Sequence, residues 1–220
     1  MINIDKHKIY EVGNHIFKNY IMLEKNEARN LFNWRNDDRI RKWMFHSDKI
    51  PFADHLNFIK LLKKRNDCYY WIVFSEGQIV GSVYIQDVEN SYGNFGFYVK
   101  PGLKEAGFNL VKTGLNLILK TLNFKSVALS VSDNNLVAFA LDVFIGFKYD
   151  YKKKITFNGD SRSFVFCKQY TLHDLNKHKA LTQSDYSEYM HTLNDRGYFN
   201  NSFIDKKIYL KIKNITNSKQ

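Results

Sequence analysis

One segment of the sequence stands out as a place for chemistry: "VKPGLKEAGFNL", residues 99–110, which holds two glycines and two lysines between a strand-like and an apolar-periodic stretch. The start of a helix offers backbone N–H groups without intrahelical partners and the positive end of the helix dipole. Both suit a pyrophosphate, and Gly107 would let that group approach the backbone closely. A plain strand-to-helix connection also uses glycine, so the segment alone favours a connector over a phosphate site.

The charge of the whole chain bears on the same question. Its 220 residues hold 33 Lys and Arg against 22 Asp and Glu, a formal net charge of +11 at pH 7. Such an excess favours polyanionic partners: nucleic acid, acidic lipid or a phosphate-rich small molecule. The basic residues are spread along the chain and no known nucleic-acid motif is present, so a generally basic surface explains the charge equally well.

Cysteine usage and hydropathy predict the compartment. Cys68 and Cys167 are far apart and lack metal-ligand spacing, which predicts two free thiols in a reducing environment. The N-terminal residues contain no signal-peptide pattern, and no apolar run approaches the ~18 residues of a membrane span. We therefore expect a cytoplasmic protein without a membrane span.

Hydrophobic periodicity predicts alternating strands and helices that would position the opening segment. Strands are expected at 16–23, 69–77, 78–88, 92–100, 126–132, 147–157 and 161–170, and helices at 24–37, 53–65, 108–122 and 134–144. The order is β-α-α-β-β-β-α-β-α-β-β, with a loop or short helix at 39–52. The three strands between residues 69 and 100 form a predicted antiparallel meander.

Particular residues predict where elements begin and end. Asp54 is a candidate helix N-cap, Gly146 a candidate left-handed helix end, and Glu76-Gly77 and Asn158-Gly159 are candidate hairpin turns. Beyond residue 170, we expect one helix within 182–199 and a strand at 206–214. The predicted organisation is one domain at 1–170 and a C-terminal extension of uncertain role at 171–220.

This element order, with a glycine-containing loop after the fourth strand, resembles the GNAT acetyltransferase superfamily over residues 16–170. In that family the loop carries [QR]-x-x-G-x-[GA], whose backbone amides hold the pyrophosphate of coenzyme A, and a later helix carries N-x-x-A-x-x-x-Y-x-x-x-G-F. The matching residues are Lys104, Gly107 and Asn109 in the first motif and Asn135, Ala138, Asp142, Gly146 and Phe147 in the second. The resemblance implies an α/β (α+β) fold, with a mixed, mostly antiparallel sheet splayed between its fourth and fifth strands and flanked by helices.

The same resemblance implies an N-acetyltransferase that uses acetyl-CoA and no metal. It assigns cofactor binding to Phe97, Tyr98, Val99, Lys104, Glu105, Ala106, Gly107, Phe108, Asn109, Asn135 and Ala138. A backbone N–H within Phe97–Val99 would polarise the thioester carbonyl, where negative charge develops during transfer. The pantetheine arm would pair with the same strand.

Asp142 stands where the family has its usual proton donor to the leaving thiolate, a tyrosine. An aspartate with an ordinary pKa of about 3.9 is ionised at neutral pH and cannot donate. Burial could raise that pKa and make Asp142 an acid; Tyr98 or water could donate instead; or catalysis could have been lost. We favour the second alternative, with Asp142 a spectator. No general base is evident, and Glu89 is more simply a solvated loop residue than a base.

A narrower resemblance covers residues 34–59, which are similar to the PseH-type enzymes of pseudaminic acid biosynthesis. Those enzymes N-acetylate a UDP-linked 4-amino-4,6-dideoxy sugar. The features that carry the resemblance are Trp34-Arg35-Asn36, Met44-Phe45, His55 and Phe58. A Trp-Arg-Asn sequence also occurs in GNAT enzymes that acetylate ribosomal-protein N-termini, so a protein N-terminus or another amine is the alternative acceptor.

The narrower resemblance assigns the phosphates of the acceptor to Arg35 and His55. A guanidinium binds phosphate oxygens with two parallel hydrogen bonds, and an imidazole donates one. The structural alternatives are that Arg35 pairs with Asp37 or Asp38 and that His55 lies on a helix surface.

Apolar side chains would cover uracil or the methyl group of the sugar. The resemblance gives this role to Met44, Phe45 and Phe58, although Phe58 also suits the core. Strand position alone adds Tyr84, Tyr98 and, more weakly, Ser82 as candidate contacts.

Two further hypotheses differ in class. Departures from the motifs at Lys104, Asn109 and Asp142 would suit a GNAT-fold binding module without catalysis. The net charge of +11 would suit a nucleic-acid-binding protein, although the resemblance leads us to expect none. The sequence leaves the oligomeric state, the acyl group and the individual amino sugar open.

Overall fold

A computed structural model describes residues 4–103, 106–157, 159–200 and 203–217. The predicted loop residues Lys104 and Glu105 and the predicted turn residue Asn158 lie outside this part of the chain. The chain divides into two compact units, residues 1–127 and 128–220. The predicted boundary at residue 170, between a catalytic domain and an extension, stays a prediction.

The first unit is built on a sheet of short to medium strands. They are β1 (Tyr10–Val12), β2 (His15–Asn19), β3 (Tyr69–Ser75), β4 (Gln78–Glu89), β5 (Tyr92–Val99) and β6 (Ser126–Ala128), and they lie side by side in that order. From β1 to β5 each strand pairs antiparallel with the next, which confirms the predicted meander. Glu76 and Gly77 have φ of 51° and 74°, so the predicted β3–β4 turn is also confirmed.

The predicted strand 16–23 ends early, and this places a tyrosine at the end of the sheet. β2 stops at Asn19, whose side chain accepts a hydrogen bond from Ile21 N at 3.1 Å. A short 3-10 turn, Tyr20–Met22, follows. Its first side chain, Tyr20, is only 3% exposed. An asparagine that bonds to the backbone two residues later ends a strand in this way.

Helices α1 (Lys25–Asn36), α2 (Asp38–Arg41) and α3 (Phe52–Leu62) lie between β2 and β3. α1 begins at a reciprocal capping arrangement between Glu24 and Glu27. The predicted N-cap Asp54 is wrong, because α3 begins one turn earlier, after Pro51. Asp54 lies in the first turn of α3, where its negative charge interacts favourably with the positive end of the helix dipole.

Helix α4 (Gly107–Leu115) follows the opening segment and buries one side in the first unit. Leu110, Val111 and Leu115 have no exposed surface. The chain continues as a π-helical turn at Asn116–Thr121, where a regular α-helix was expected as far as residue 122. The helical stripe predicted for this region is confirmed through α4.

The second unit has its own small sheet. Its strands are β7 (Ser130–Ser132), β8 (Tyr149–Phe157) and β9 (Asp160–Cys167). The two-residue β10 (Tyr170–Thr171) follows in the chain and is not a strand of this sheet. β9 pairs antiparallel with both β7 and β8, so the predicted hairpin is confirmed. The predicted strand 126–132 is two strands, β6 and β7, separated at Leu129.

Four helices complete this unit within the described residues: α5 (Leu136–Ile145), α6 (Leu172–Lys177), α7 (Gln183–Asp195) and α8 (Lys206–Asn217). The Asn135 side chain caps α5 by accepting from Ala138 N at 3.3 Å. Gly146 ends the helix with φ of 107°, as predicted.

The predicted strand at 206–214 is wrong, since these residues form α8. Ile208, Ile212 and Ile215 are spaced by four and three residues and are all buried. That is the period of a helix, and the alternation of lysine with apolar residues in the same stretch imitates a strand.

Candidate active site

A row of tyrosines covers one face of the first unit's sheet. Tyr70 on β3 lies opposite Tyr84 on β4, and their ring centroids are 5.1 Å apart. Tyr98 on β5 lies opposite Ser82, two residues before Tyr84, so all four side chains point to the same face. The three tyrosines are half-buried. Burial raises the pKa of Tyr84 to about 12 and raises the pKa of Tyr98, so both hydroxyls stay protonated at neutral pH.

Gly96 allows the ring of Tyr84 to lie directly over β5. A Cβ atom at Gly96 would come within 2.2 Å of that ring, far closer than van der Waals contact. The strand therefore needs glycine here to hold the tyrosine row flat against the sheet.

Phe58 closes one end of the row. Its ring meets Tyr70 edge-on at a centroid distance of 5.1 Å. It also packs against the buried cluster that contains Leu31 and Leu62. Phe58 thus belongs to the core and lines the tyrosine row at the same time.

Arg35 is aimed at this row rather than at an acidic neighbour. Asp37 pairs with Arg39 and Asp38 with Arg41, so the predicted alternative of an Arg35 ion pair with Asp37 or Asp38 is wrong. Arg35 Nη2 donates to His46 O at 2.6 Å. Its Nη1 is buried and has no hydrogen-bond partner among the described residues.

The surroundings of Arg35 are electrostatically unusual. Burial lowers the pKa of its guanidinium, while Tyr98 and Tyr84 are close enough to act in the opposite direction. A guanidinium stays charged in proteins even so. The site therefore holds a partly desolvated cation with a spare donor, which is the chemistry that a phosphate needs.

Three hydroxyls behind the row form a continuous chain. Tyr98 Oη lies 2.9 Å from Tyr20 Oη, and Tyr20 Oη lies 2.7 Å from Ser82 Oγ. Ser82 Oγ donates to the backbone oxygen of Trp71 at 3.0 Å. Since Ser82 has no exposed surface, the candidate contact of its side chain with a ligand is not supported. Its hydroxyl is used inside the protein.

His55 lies in a different environment from the one predicted. It is 4% exposed and packs against Phe32 and Phe52, so the helix-surface alternative is wrong. Burial lowers its pKa, against the effect of a hydrogen bond with the backbone of Ala28. Its Nε2 has no partner in the described part of the chain. Burial favours the neutral ring, which can still donate one hydrogen bond, so the contact of His55 with a phosphate stays a prediction.

The loop that carries Met44 and Phe45 is tied to α1 at both of its ends. Asn36 Nδ2 donates to Ile50 O and Ile50 N donates to Asn36 Oδ1, each at 2.9 Å. Arg35 holds the middle of the loop through His46 O. Met44 is half-buried, and Phe45 keeps 41% of its surface exposed.

On the cofactor side, β5 has an edge that its neighbour does not reach. Lys100 N donates to Val80 O at 2.8 Å, so by alternation the N–H groups of Phe97 and Val99 point away from β4. On that side β6 has three residues and starts beside Ser91, where Lys125 N donates to Ser91 O at 2.9 Å. Three residues extend about 10 Å and stop short of Phe97.

The start of α4 presents backbone rather than side chains. Gly107 is buried and Phe108 is 1% exposed, while Asn109 is exposed on the first turn. Ala106 is the N-cap and offers no side-chain hydrogen bond. The first N–H groups of this nine-residue helix are therefore the candidate donors, and the bulk of Phe108 serves the core.

The second-motif residues lie in the second unit. Asn135 and Ala138 are half-exposed, but Asp142 is 2% exposed and its Oδ1 has no partner among the described residues. Burial raises the pKa of Asp142 well above its ordinary value, which is the condition of the first alternative given for this residue, and its role in the reaction stays a prediction. Burial, with the charge of Asp142 as a lesser cause, also raises the pKa of Cys167 and of Tyr186, which places those side chains near it.

The remaining predictions concern the cysteines, Glu89, metal binding and membrane spans. Cys68 and Cys167 are free and buried, and Glu89 is exposed at the end of β4. Within the described residues, no group of three or more His, Cys, Asp or Glu side chains is arranged to hold a metal ion. No helix in that part of the chain has the length and apolar character needed to cross a membrane.

Sequence reasoning missed three residues of the site: Tyr20, Asn36 and Tyr70. Asn36 stood inside the Trp-Arg-Asn sequence, but nothing in the spacing indicated that it binds a loop. Tyr70 could have been found by extending the β3–β4 turn into a register, had the shift between Val73 and Phe74 been known.

The chain is similar to acetyltransferases of known sequence and structure. No family model matches the sequence. The acetyltransferase PseH of Campylobacter jejuni is 30% identical over 124 residues, which cover 56% of this chain and 78% of that protein. The crystal structure of the C. jejuni N-acetyltransferase PseH in complex with acetyl coenzyme A has a TM-score of 0.53 at 25% identity, covering 71% of this chain and 99% of that one.

A third comparison concerns the fold alone. A spermidine N-acetyltransferase from Vibrio cholerae, in complex with CoA and spermine, has a TM-score of 0.63 at 19% identity. It covers 74% of this chain and 98% of the other. Together these structures confirm the predicted GNAT fold, with its mostly antiparallel sheet flanked by helices.

Proposed function

We propose, from the premise that this chain belongs to the PseH family of acetyltransferases, that it transfers the acetyl group of acetyl-CoA to the amino group of a UDP-linked 4-amino-4,6-dideoxy sugar. Family membership confirms the predicted enzyme class. The UDP-sugar and a cytoplasmic location are the finer parts of the proposal.

The observation that supports a nucleotide-linked acceptor is the state of the Arg35 side chain. Its Nη1 is buried, without a partner in the described residues, beside Tyr70, Tyr84 and Tyr98. A buried donor without a partner costs about 1–3 kcal/mol, more when it is charged, and a ligand phosphate would satisfy it. The half-buried rings supply a flat apolar surface for the sugar or the base.

Acetyl-CoA supplies an activated acyl thioester when bound. The N–H groups of Phe97 and Val99 point to the open edge of β5, where they can polarise the thioester carbonyl and pair with the pantetheine amides. The N–H groups that begin α4 suit the pyrophosphate. Lys104 and Glu105 are part of the same proposal on the basis of the family motif.

The chemistry needs little more than placement. The amine nitrogen forms a bond to the acyl carbon, the carbon–sulfur bond breaks, and the proton lost by the amine passes to the thiolate or to water. Since a thiol has a pKa of about 8.5, the thiolate is a fair leaving group without a dedicated acid. Asp142 is accordingly left out of the reaction.

Thiol release is the direct test. Purified protein with acetyl-CoA should release coenzyme A in the presence of a UDP-4-amino-4,6-dideoxy sugar, and much less with the free sugar or with an N-terminal peptide of a ribosomal protein. A PseH enzyme of known activity is the positive control. Turnover of the peptide but not of the nucleotide sugar would contradict the proposal. Binding of acetyl-CoA without turnover of any amine would instead support a non-catalytic module.

A further inference from the structure

The hydroxyl chain behind the tyrosine row has a fixed direction. A carbonyl oxygen accepts hydrogen bonds and cannot donate them, so Ser82 spends its only proton on Trp71 O. Ser82 must then accept from Tyr20, which lies 2.7 Å away. Tyr20 has now spent its own proton, so in the 2.9 Å contact with Tyr98 it must accept. Tyr98 is therefore the donor in that pair.

The consequence for Tyr98 is that its proton points away from the tyrosine row. The hydroxyl oxygen keeps its lone pairs for other partners, and Tyr84 and Arg35 lie close enough to influence it. We propose that Tyr98 accepts a hydrogen bond from the acceptor amine, and that Tyr20 and Ser82 are positioning residues which fix Tyr98 in that role. This inference rests on the proposed function for the identity of the amine.

The same geometry argues against the proton-donor role that the sequence suggested for Tyr98. To protonate a thiolate, Tyr98 would have to break its bond to Tyr20 and leave Tyr20 without a donor. The chain cannot carry a proton onward either, because it ends at a backbone carbonyl. It is a static orienting device, not a proton relay.

An acceptor at this point favours a ligand group that carries N–H over one that does not. A site built to bond to a donor rejects an otherwise similar ligand without the donor, because its own polar group is then unpaired. The matched pair is a UDP-sugar with an amine at the reacting carbon and the corresponding sugar with a ketone there. The ketone accepts hydrogen bonds and offers none.

Tyr20→Phe should invert this preference. Without the Tyr20 oxygen, the Tyr98 proton loses its partner and turns toward the ligand. Calorimetry should show the amine sugar binding about 3- to 10-fold more weakly and the ketone sugar binding more tightly, since one neutral hydrogen bond contributes about 0.5–1.5 kcal/mol. Ser82→Ala removes the hydroxyl at the far end of the chain, so Tyr20 can then donate to Tyr98. The Tyr98 proton would turn toward the ligand, and the preference should shift in the same direction as in Tyr20→Phe.

The matched control is Tyr10→Phe. Tyr10 donates to Asp5 O at 3.2 Å in the same unit, so its loss removes a comparable hydroxyl away from the chain. The amine-to-ketone ratio should stay at the wild-type value there. Equal weakening of both sugars in Tyr20→Phe would mean general loosening and would overturn the inference, as would a wild-type preference for the ketone.

A second measurement separates this inference from the proposed function. If neither sugar binds the wild-type protein, the UDP-sugar assignment fails. Neutron diffraction on the deuterated protein then decides the direction of the chain. A deuteron on Tyr98 that points to Tyr20 supports the inference, and a deuteron on Tyr20 that points to Tyr98 overturns it.

Discussion

Two buried polar sites, one in each unit, differ in how their groups are satisfied. In the first, Tyr98, Tyr20 and Ser82 satisfy one another and end on a carbonyl oxygen. In the second, the carboxyl of Asp142 is 2% exposed and has an oxygen without a partner in the described residues. Burying the hydroxyl chain costs little stability because each hydroxyl has a hydrogen-bond partner, and the chain fixes the direction of its hydrogen bonds. A buried carboxyl without a partner favours its neutral, protonated form.

The two sites also differ in what their residue types would lead one to expect. Asp142 is the residue type that chemistry usually employs, yet the second unit keeps it from solvent. Tyr20 follows a strand and resembles an ordinary core aromatic, yet it orients the hydroxyl nearest the proposed amine. Under the proposal, the environment of each residue, more than its type, decides its role.

Removing the cation of the first unit should have the largest effect. Arg35→Met is expected to lower kcat/KM for the nucleotide sugar by about 10- to 150-fold, because a hydrogen bond to a charged group contributes about 1.5–3 kcal/mol. The KM for acetyl-CoA should change little. Steady-state kinetics with each substrate varied in turn will measure both effects.

Arg39→Met is the control for that experiment. Arg39 is exposed and pairs with Asp37, two residues earlier, so kinetics should stay near wild type. An equal loss in both variants would point to nonspecific electrostatics instead of a phosphate contact at Arg35.

Filling Gly96 should break the tyrosine row. Gly96→Ala places a methyl group against the ring of Tyr84, and overpacking of this kind costs about 1–3 kcal/mol of the free energy of unfolding. Chemical denaturation will measure the loss. In a Tyr84→Ala background the same change should cost far less, and a cost that persists there would show that the ring is not what glycine accommodates.

Asp142→Asn tests the second unit. A carboxyl whose pKa is raised by folding stays protonated in the native state while the unfolded chain ionises above about pH 3.9, so it destabilises the protein as the pH rises. The free energy of unfolding of the variant should therefore exceed that of wild type at pH 7.5, and the difference should shrink as the pH falls toward 4. Denaturation at several pH values will measure the difference.

Activity should mostly survive in Asp142→Asn. A loss of kcat of more than about 100-fold, the scale of a lost general acid, would return Asp142 to the reaction. Asp133→Asn is a control in the same unit for which the opposite change in stability is expected. Asp133 pairs with Lys152 at 2.5 Å, so its neutralisation should lower stability and leave Asp142 intact.

The smallest effect is expected for Phe45, an exposed residue of the loop that Asn36 and Ile50 close. Phe45→Ala removes a ring that is 41% exposed, so stability should change by about 0.5 kcal/mol or less. The KM for the nucleotide sugar should rise only a few-fold, in proportion to the apolar area lost. Unchanged KM would exclude Phe45 from the acceptor surface.

The meander and the long helices were predictable because short-range signals agree with tertiary structure there. The turn at Glu76-Gly77 needs positive φ, and Gly146 ends α5 for the same reason. α8 was mispredicted since lysines alternate with apolar residues along it, and only packing of Ile208, Ile212 and Ile215 distinguishes the two periods.

The site was predictable only in part, because its geometry depends on register. Beside the β3–β4 turn the paired residue numbers sum to 153, as for Ser75 with Gln78, and beyond the bulge they sum to 154, as for Tyr70 with Tyr84. Without that one-residue shift, Tyr70 would face Val83, on the other side of β4. Gly81, inside the predicted strand beside this shift, suggests a bulge but does not fix the register, so neither the tyrosine row nor the hydroxyl chain could be derived.

The pair of hydrogen bonds from Asn36 to Ile50 has a consequence for how specificity diverges. The side chain closes the intervening loop at its base, so the loop keeps its position whatever residues occupy its tip. Under the proposed function, substitutions around Met44 and Phe45 would change the preferred acceptor while the hydrogen bonds at the base of the loop remain in place. A preference for another sugar would then need changes in a few side chains of this loop, without a new fold or a new cofactor site.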